Sequence, residues 1–503
     1  MAGSISHFLL LIGVIFSRSL APAQSDNPYP TAAMRSFERA YQIVKENYAE
    51  PIDNEKAIYG GAIPGMLRVL DPHSRFLDAQ EYALLQHEES GERFDLGIRL
   101  AAEGSMVVVA ATIPDTPGQR AGIRPGDRVV AINGRPTTGL ASSSVAEMLN
   151  CATPTEVRLS IKRANSSVSL TVVVRSEKFK APSVQAFVIS PGVAYLRISE
   201  FDQATGRELK QALKHLGKLN SLILDLRENP GGLLESAVEV ADQFLPKGAL
   251  IGSLVERSTV KQVYRARHGN NGRKYPIVVL VDRATASAAE FVAGVLQDQD
   301  RALVLGQNTF GKGMAQTILP LSENTALALT TDKVSLPSGR FTQRPYAGIS
   351  EIDYYYRRPI NSASHQVSYT CRGRTVYGGA GISPDIVLPV SKQSRFAKTL
   401  LRRNAVVGFS AEYVAHHRVD KYFEVSRAVL QEFYEYLGQH RILGTTDEID
   451  TTSRWLRTEL SAGILTAAFG PEEGLRVRAK NDVEVLSAIE FLPAAARLAS
   501  TGN

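Results

Sequence analysis

From Val193 to Gly306 the chain alternates short, mainly apolar runs with helix-length amphipathic segments, and this alternation limits the fold more than any other feature. The runs are VAYLRI, SLILDLR, IVVLVD and ALVLG. Helices are predicted between them, near Arg207 to Leu216, Leu233 to Leu245 and Ala288 to Gln297. Strands that are apolar along most of their length have both faces buried, which a strand–helix alternation achieves in a mostly parallel sheet covered by helices. The predicted class is therefore α/β. Beyond Gln316, TILPL and TALALTT flank Ser322, Glu323 and Asn324 and read as a hairpin.

The 503 residues exceed one compact core, so further domains are expected. Phe37, Tyr41, Val44 and Tyr48, then Ile58, Ile63, Met66, Leu67 and Leu70, recur at helical spacing and predict a helical N-terminal region over 30–92. It ends in LDPHSRFLDAQEY, where Asp71 and Pro72 signal a turn and Asp78 caps another helix. Residues 93–176 hold short β-rich runs, turn signals and one helix, LASSSVAEML. The α/β block is placed at 177–390, and 391–503 returns to helical periodicity without a motif that carries chemistry.

Several function classes are excluded early. A net charge of +6 spread thinly, without a Lys/Arg run, argues against nucleic acid as a partner. Cys151 and Cys371 are too few and too far apart for a disulfide framework, and CxxC and HExxH spacings are missing, so no metal or other cofactor is expected. The apolar run from Phe8 to Phe16, followed by Ala21, Pro22 and Ala23, reads as a signal peptide over 1–23, with the mature chain periplasmic or secreted. That run is too short to span a bilayer.

Three strand ends carry unusual residues, at positions where open sheets bind ligands. In LILDLRENPGGLLESA, Gly231 and Gly232 open a helix whose free amides can receive an oxyanion, although the same letters also make an ordinary turn. In VLVDRATASAAEF, Ser287 starts a helix; with Glu290 three residues on, it is either an exposed hydroxyl or a capping box. In ALVLGQNTFGKGMAQT, Lys312 stands between Gly311 and Gly313. Gly306 to Lys312 matches GxxxxGK, but Gly313 occupies the place where a nucleotide-binding loop needs Ser or Thr.

The block LGIRL, GQRAGIRPGDRVVAINGRPT and the helix after it resemble a PDZ domain. The resemblance implies that the amides of Leu96, Gly97 and Ile98 bind a peptide's terminal carboxylate while the peptide adds as a strand. The loop reads FDLGI, one glycine short of the FxGLGI of peptidase PDZ domains. From Phe37 to Pro389 the chain resembles the carboxyl-terminal processing peptidases, or tail-specific proteases. The match rests on LDPHS, LDLRENPGG, Ser287 three residues before Glu290 and twenty-five before Lys312 in FGKG, LTTDKVSLPSGR and GGAGISPDIVLP.

That resemblance implies a crotonase/ClpP-like peptidase core, a Ser287 nucleophile, Lys312 as general base and an acyl-enzyme route, with oxyanion donors at Ala288 and the Gly231, Gly232 turn. Its substrates would be proteins or peptides held by their C-termini, with a second copy of the chain or an adaptor as the remaining partner candidates. Gln316 matches a residue that supports the lysine, though four residues of strand span about 13 Å, so contact needs a bend, which Gly313 can supply. Asp298 lies about 16 Å along the helix from Ser287 and, like Glu290, is read as orienting. The rival readings are a PDZ scaffold with an inert core, a crotonase-like acyl-transfer enzyme, and a classical triad through His215 or His73.

Overall fold

The structure, a computed structural model, describes residues 14–15, 32–90, 93–103, 106–113, 115–140, 142–149, 154–163, 168–179, 182–356, 366–389 and 393–500. The expected leader, apart from Val14 and Ile15, and Cys151 lie outside them.

The central sheet runs in the order Val184–Ser190, Val193–Ile198, Ser221–Asp225, Ile277–Val281, Leu303–Gly306 and Ile386–Val387. Only its first pair is antiparallel; the others are parallel. Side chains alternate along each strand. Leu222, Leu224, Ile277, Val279 and Val281 enter one core, with the helices Leu234–Asp242 and Ala288–Asp298. Ile223, Val278 and Leu280 enter another, with Val485, Ala488 and Leu492 of the helix Val483–Ser500. The C-terminal tail, which carries no chemical motif, thus supplies the cover for the sheet's second face.

A second, mostly antiparallel sheet contains the predicted hairpin, Met314–Pro320 and Ala326–Ser335, continued by Leu250–Glu256 and Thr259–Arg265. Ile251, Leu254 and Ala315 from it, and Leu336 just after it, join the first core, so the helix Ala288–Asp298 lies between the two sheets with all its residues buried. The N-terminal region carries helices, among them Ala32–Asn47, Ile63–Arg68 and Ala79–Ser90, and a strand. Arg75–Leu77 is a strand paired with Ala326–Ser335, and the helix Ala32–Asn47 buries none of its residues.

The PDZ-like sheet runs Ile98–Glu103, Met106–Thr112, Arg128–Ile132, Glu156–Lys162, Ser169–Arg175, with Ile98–Glu103 as an edge beside the helix Ser142–Leu149. Its outer face packs on the helices Ala405–His416 and Thr446–Phe469, which bury Val108 and Ala111. Among the described residues no helix is long and apolar enough to cross a membrane.

Candidate active site

The strand Ile277–Val281 delivers Ser287 to the N-cap of the inner helix at φ 54° and ψ −117°. A non-glycine residue is strained there, and such tight strand-to-helix turns push a nucleophile's side chain outward. Ser287 and Glu290 have the capping-box arrangement, and Glu290 Oε2 accepts the Ser287 amide at 2.8 Å. The capping and nucleophile readings of Ser287 are therefore compatible.

Glu290 does more than cap. It is fully buried and also accepts Thr309 Oγ1 at 2.5 Å, the Gly311 amide at 2.7 Å and the Lys312 amide at 2.8 Å. One carboxylate thereby ties the serine turn to the lysine loop. Burial pushes Glu290 up to about 7, against the pull of these donors.

Lys312 is 2% exposed, and its Nζ has no hydrogen-bond partner. Burial, aided by repulsion from Arg75 and opposed by Asp71 and Glu290, lowers it from 10.5 to about 7. Ser287 and Lys312 line one opening, whose remaining wall includes Gly232, Leu234, Ala288, Phe291, Val334 and Leu336. In this conformation the amine is bonded neither to Ser287 nor to Gln316.

Gln316 donates through Nε2 to Thr330 Oγ1 at 2.9 Å, while its buried Oε1 has no partner. The strand carries a β-bulge between Ala315 and Gln316.

The glycine turn abuts the nucleophile: a β-carbon on Gly231 would lie 2.8 Å from both Ala286 O and Ser287 Cβ. Its amide, however, donates to Asn229 Oδ1 at 2.8 Å, so Gly231 is corrected from oxyanion donor to close-approach residue. Gly232 has φ 135°, and Ala288 is the first helical residue, where an amide has no acceptor within its own helix. Buried Asn229, for which the sequence suggested no role, ties this turn to its neighbours. Its Nδ2 donates to Ile198 O at 2.8 Å, and its carbonyl accepts the Ala286 amide at 2.9 Å.

Asp298 faces away from the serine turn's partners into a contact of its own. It pairs with Arg340 at 2.7 Å, both fully buried, and accepts the Ser338 amide at 3.0 Å. His215 bonds to Gln211 O at an exposed site, and both ring nitrogens of His73 are taken by tyrosines, so neither completes a triad with Ser287. In the PDZ-like loop, Leu96, Gly97 and Ile98 are buried and Gly97 has φ 71°. The Gly97 amide already donates to Asp95 Oδ1 at 3.0 Å. Among the described residues no group of three or more His, Cys, Asp or Glu is placed to hold a metal ion.

Three family models match the chain: "Peptidase family S41" over 192–351, "PDZ domain" over 108–163 and "Activating protease CtpB N-terminal domain" over 17–81. The "Carboxy-terminal-processing protease" of Bartonella bacilliformis is 34% identical over 67% of this chain and 78% of its own length. The "Carboxyl-terminal-processing protease" of Synechocystis sp. is 33% identical over 59% of this chain and 71% of its own length. Among solved structures, a "photosystem II D1 C-terminal processing protease" is 26% identical, with a TM-score of 0.39, over 74% of this chain and 90% of its own.

Proposed function

This chain belongs to the carboxy-terminal processing proteases, a family of serine proteases, and from that premise we propose that it cuts exported proteins near their C-termini with a Ser287/Lys312 dyad. The observation that carries this reading is the buried, unpaired Lys312 amine, held near neutrality in the same opening as the strained Ser287.

A serine hydroxyl attacks a peptide carbonyl only if a neighbour takes its proton, and an ordinary lysine is already protonated. Lys312 at about 7 has a neutral fraction able to accept that proton. Ser287 Oγ then bonds to the carbonyl carbon, and the developing oxyanion is received by the Gly232 and Ala288 amides, each such donor contributing roughly 3 kcal/mol. The new ammonium passes its proton to the leaving amine, giving an acyl-enzyme that water cleaves by the same base. During the charged stage the free Gln316 Oε1, on the strand that follows the lysine loop, is an unused neutral acceptor.

The opening beside Ser287 has apolar walls at Leu234, Phe291, Val334 and Leu336. We therefore expect cleavage after small and medium aliphatic residues. A charged residue at that position should be cut about 100-fold more slowly, since its charge would be desolvated without a partner. Comparable rates for peptides that place Asp and Val before the cut would show that this wall does not receive the side chain.

The PDZ domain presents the substrate tail in this reading, with the tail adding along the edge strand Ile98–Glu103 and its carboxylate entering the Gly97 loop. Asp95 occupies one amide of that loop and also pairs with Arg99 at 3.3 Å, so an incoming carboxylate must displace it. A peptide library varied only at its C-terminus, read by mass spectrometry, should show free acids cut faster than their amides. Asp95→Ala should bind free-acid peptides several-fold tighter in fluorescence anisotropy. Equal cutting of acids and amides would remove tail presentation while leaving the dyad intact. Export rests on the apolar run Phe8 to Phe16 and the Ala21-Pro22-Ala23 site.

A further inference from the structure

Two features stand outside this chemistry: the buried His73 of the LDPHS turn and the segment that follows Arg340. They meet beside the lysine loop. The helix Glu351–Tyr356 sets Tyr354 and Tyr355 edge-on to His73, with ring centroids 5.5 and 6.3 Å apart.

The direction of each hydrogen bond follows from its neighbours. Tyr355 donates its hydroxyl hydrogen to Pro72 O at 2.8 Å, so its oxygen accepts His73 Nδ1–H at 3.2 Å. A neutral imidazole protonated at Nδ1 is an acceptor at Nε2, and Nε2 receives the Tyr354 hydroxyl at 3.2 Å. The Tyr354 oxygen then accepts Gln343 Nε2–H at 3.0 Å, and Gln343 Oε1 accepts the amide of Gly313, the residue after Lys312, at 2.9 Å. Burial first, then the charges of Lys312 and Arg344, lower His73 to about 2, so the imidazole stays neutral and the row keeps its direction.

We propose that the row from Pro72 through Tyr355, His73, Tyr354 and Gln343 is a positioning relay: it holds Gly313, and with it Lys312, in the dry pocket while the Asp71–Ser74 turn is docked. Glu290 fixes the lysine loop from one side and Gln343 from the other. The turn is anchored where Thr330 N donates to Ser74 Oγ at 3.0 Å and Thr330 Oγ1 donates to Asp71 Oδ1 at 3.1 Å. Arg344 closes the side of the loop, its guanidinium 4.0 Å from the Phe310 ring centre and 4.1 Å from that of Tyr354. The position of the N-terminal region is thereby coupled to the base. The relay rests on Lys312 being that base.

Tyr354→Phe keeps the ring and removes both hydroxyl bonds. In the full chain, kcat should fall about tenfold at neutral pH with little change in KM. Asp71, Arg75 and Glu290 act on the Lys312 charge, and His73 and Arg344 flank the loop. All of these remain in the variant, so water entry is the change that it introduces. Hydration raises Lys312 toward its ordinary range, so the acid limb of the kcat/KM profile should move to higher pH and activity should recover in alkaline buffer. His73→Phe, Gln343→Leu and Tyr354→Phe should not add when combined, because each interrupts the same row. Ala347→Ser, at an exposed position of the same segment, should match wild type. A folded Tyr354→Phe protein whose pH profile overlays wild type, or additive losses in the triple variant, would overturn the relay while leaving the dyad standing. Cleavage by Lys312→Ala protein would instead remove the dyad, and the relay with it.

Discussion

Replacing Ser287 or Lys312 with alanine should each lower kcat/KM by about 10⁴-fold or more, and the double variant should be little worse than either single one, because the two groups act on one proton. The lysine variants should also reveal a cost in stability. The folded chain releases the Lys312 proton near 7, whereas an unfolded lysine keeps it to about 10.5. Between those values the unfolded state binds the extra proton, so stability rises with pH across that window, and the full penalty of burying Lys312 is present below it. Lys312→Met, which fills the same space without the amine, should therefore stabilise the protein by a few kcal/mol near neutral pH, with the gain fading toward pH 10. Denaturant unfolding at several pH values measures this. A variant that is inactive and also less stable than wild type at neutral pH would contradict the burial argument.

Glu290→Ala is expected to be the most disruptive change in the core of the site. It would leave the Ser287, Gly311 and Lys312 amides and the Thr309 hydroxyl without their common acceptor, in a place water does not reach. Loss of a buried multiple acceptor costs roughly 3–5 kcal/mol, and here it would also release the serine turn from the lysine loop. Activity should be lost together with thermal stability. Glu290→Gln, which keeps the shape but exchanges one acceptor for a donor, should recover part of the stability and little of the activity. Full activity in Glu290→Gln would show that the loops are held by other contacts.

The strand ends that line the opening were legible because their signals are local. Apolar runs fix the strands, and the Ser287, Glu290 and Lys312 spacings mark the loops between them. What closes the site was not legible. Which amide of NPGG is taken depends on where the Asn229 side chain turns, and the letters do not say that it is Gly231. Helical periodicity shows that Val485 and Leu492 bury a face, but not that the face covers Val278 and Leu280. His73 and Tyr354 are 281 positions apart, with no periodic pattern linking them, so their contact exists only once the N-terminal turn and the segment after the hairpin are both docked. The adjacent Tyr354 and Tyr355 were the one available sign that this segment has a buried side.

Lysine side chains labelled with ¹³C at the ε-carbon report protonation by chemical shift, and Lys312→Arg identifies the one signal that disappears. Titration of the full chain should place the Lys312 amine near 7. A transition at the ordinary value of 10.5 would leave Ser287 without a base at working pH and contradict the account.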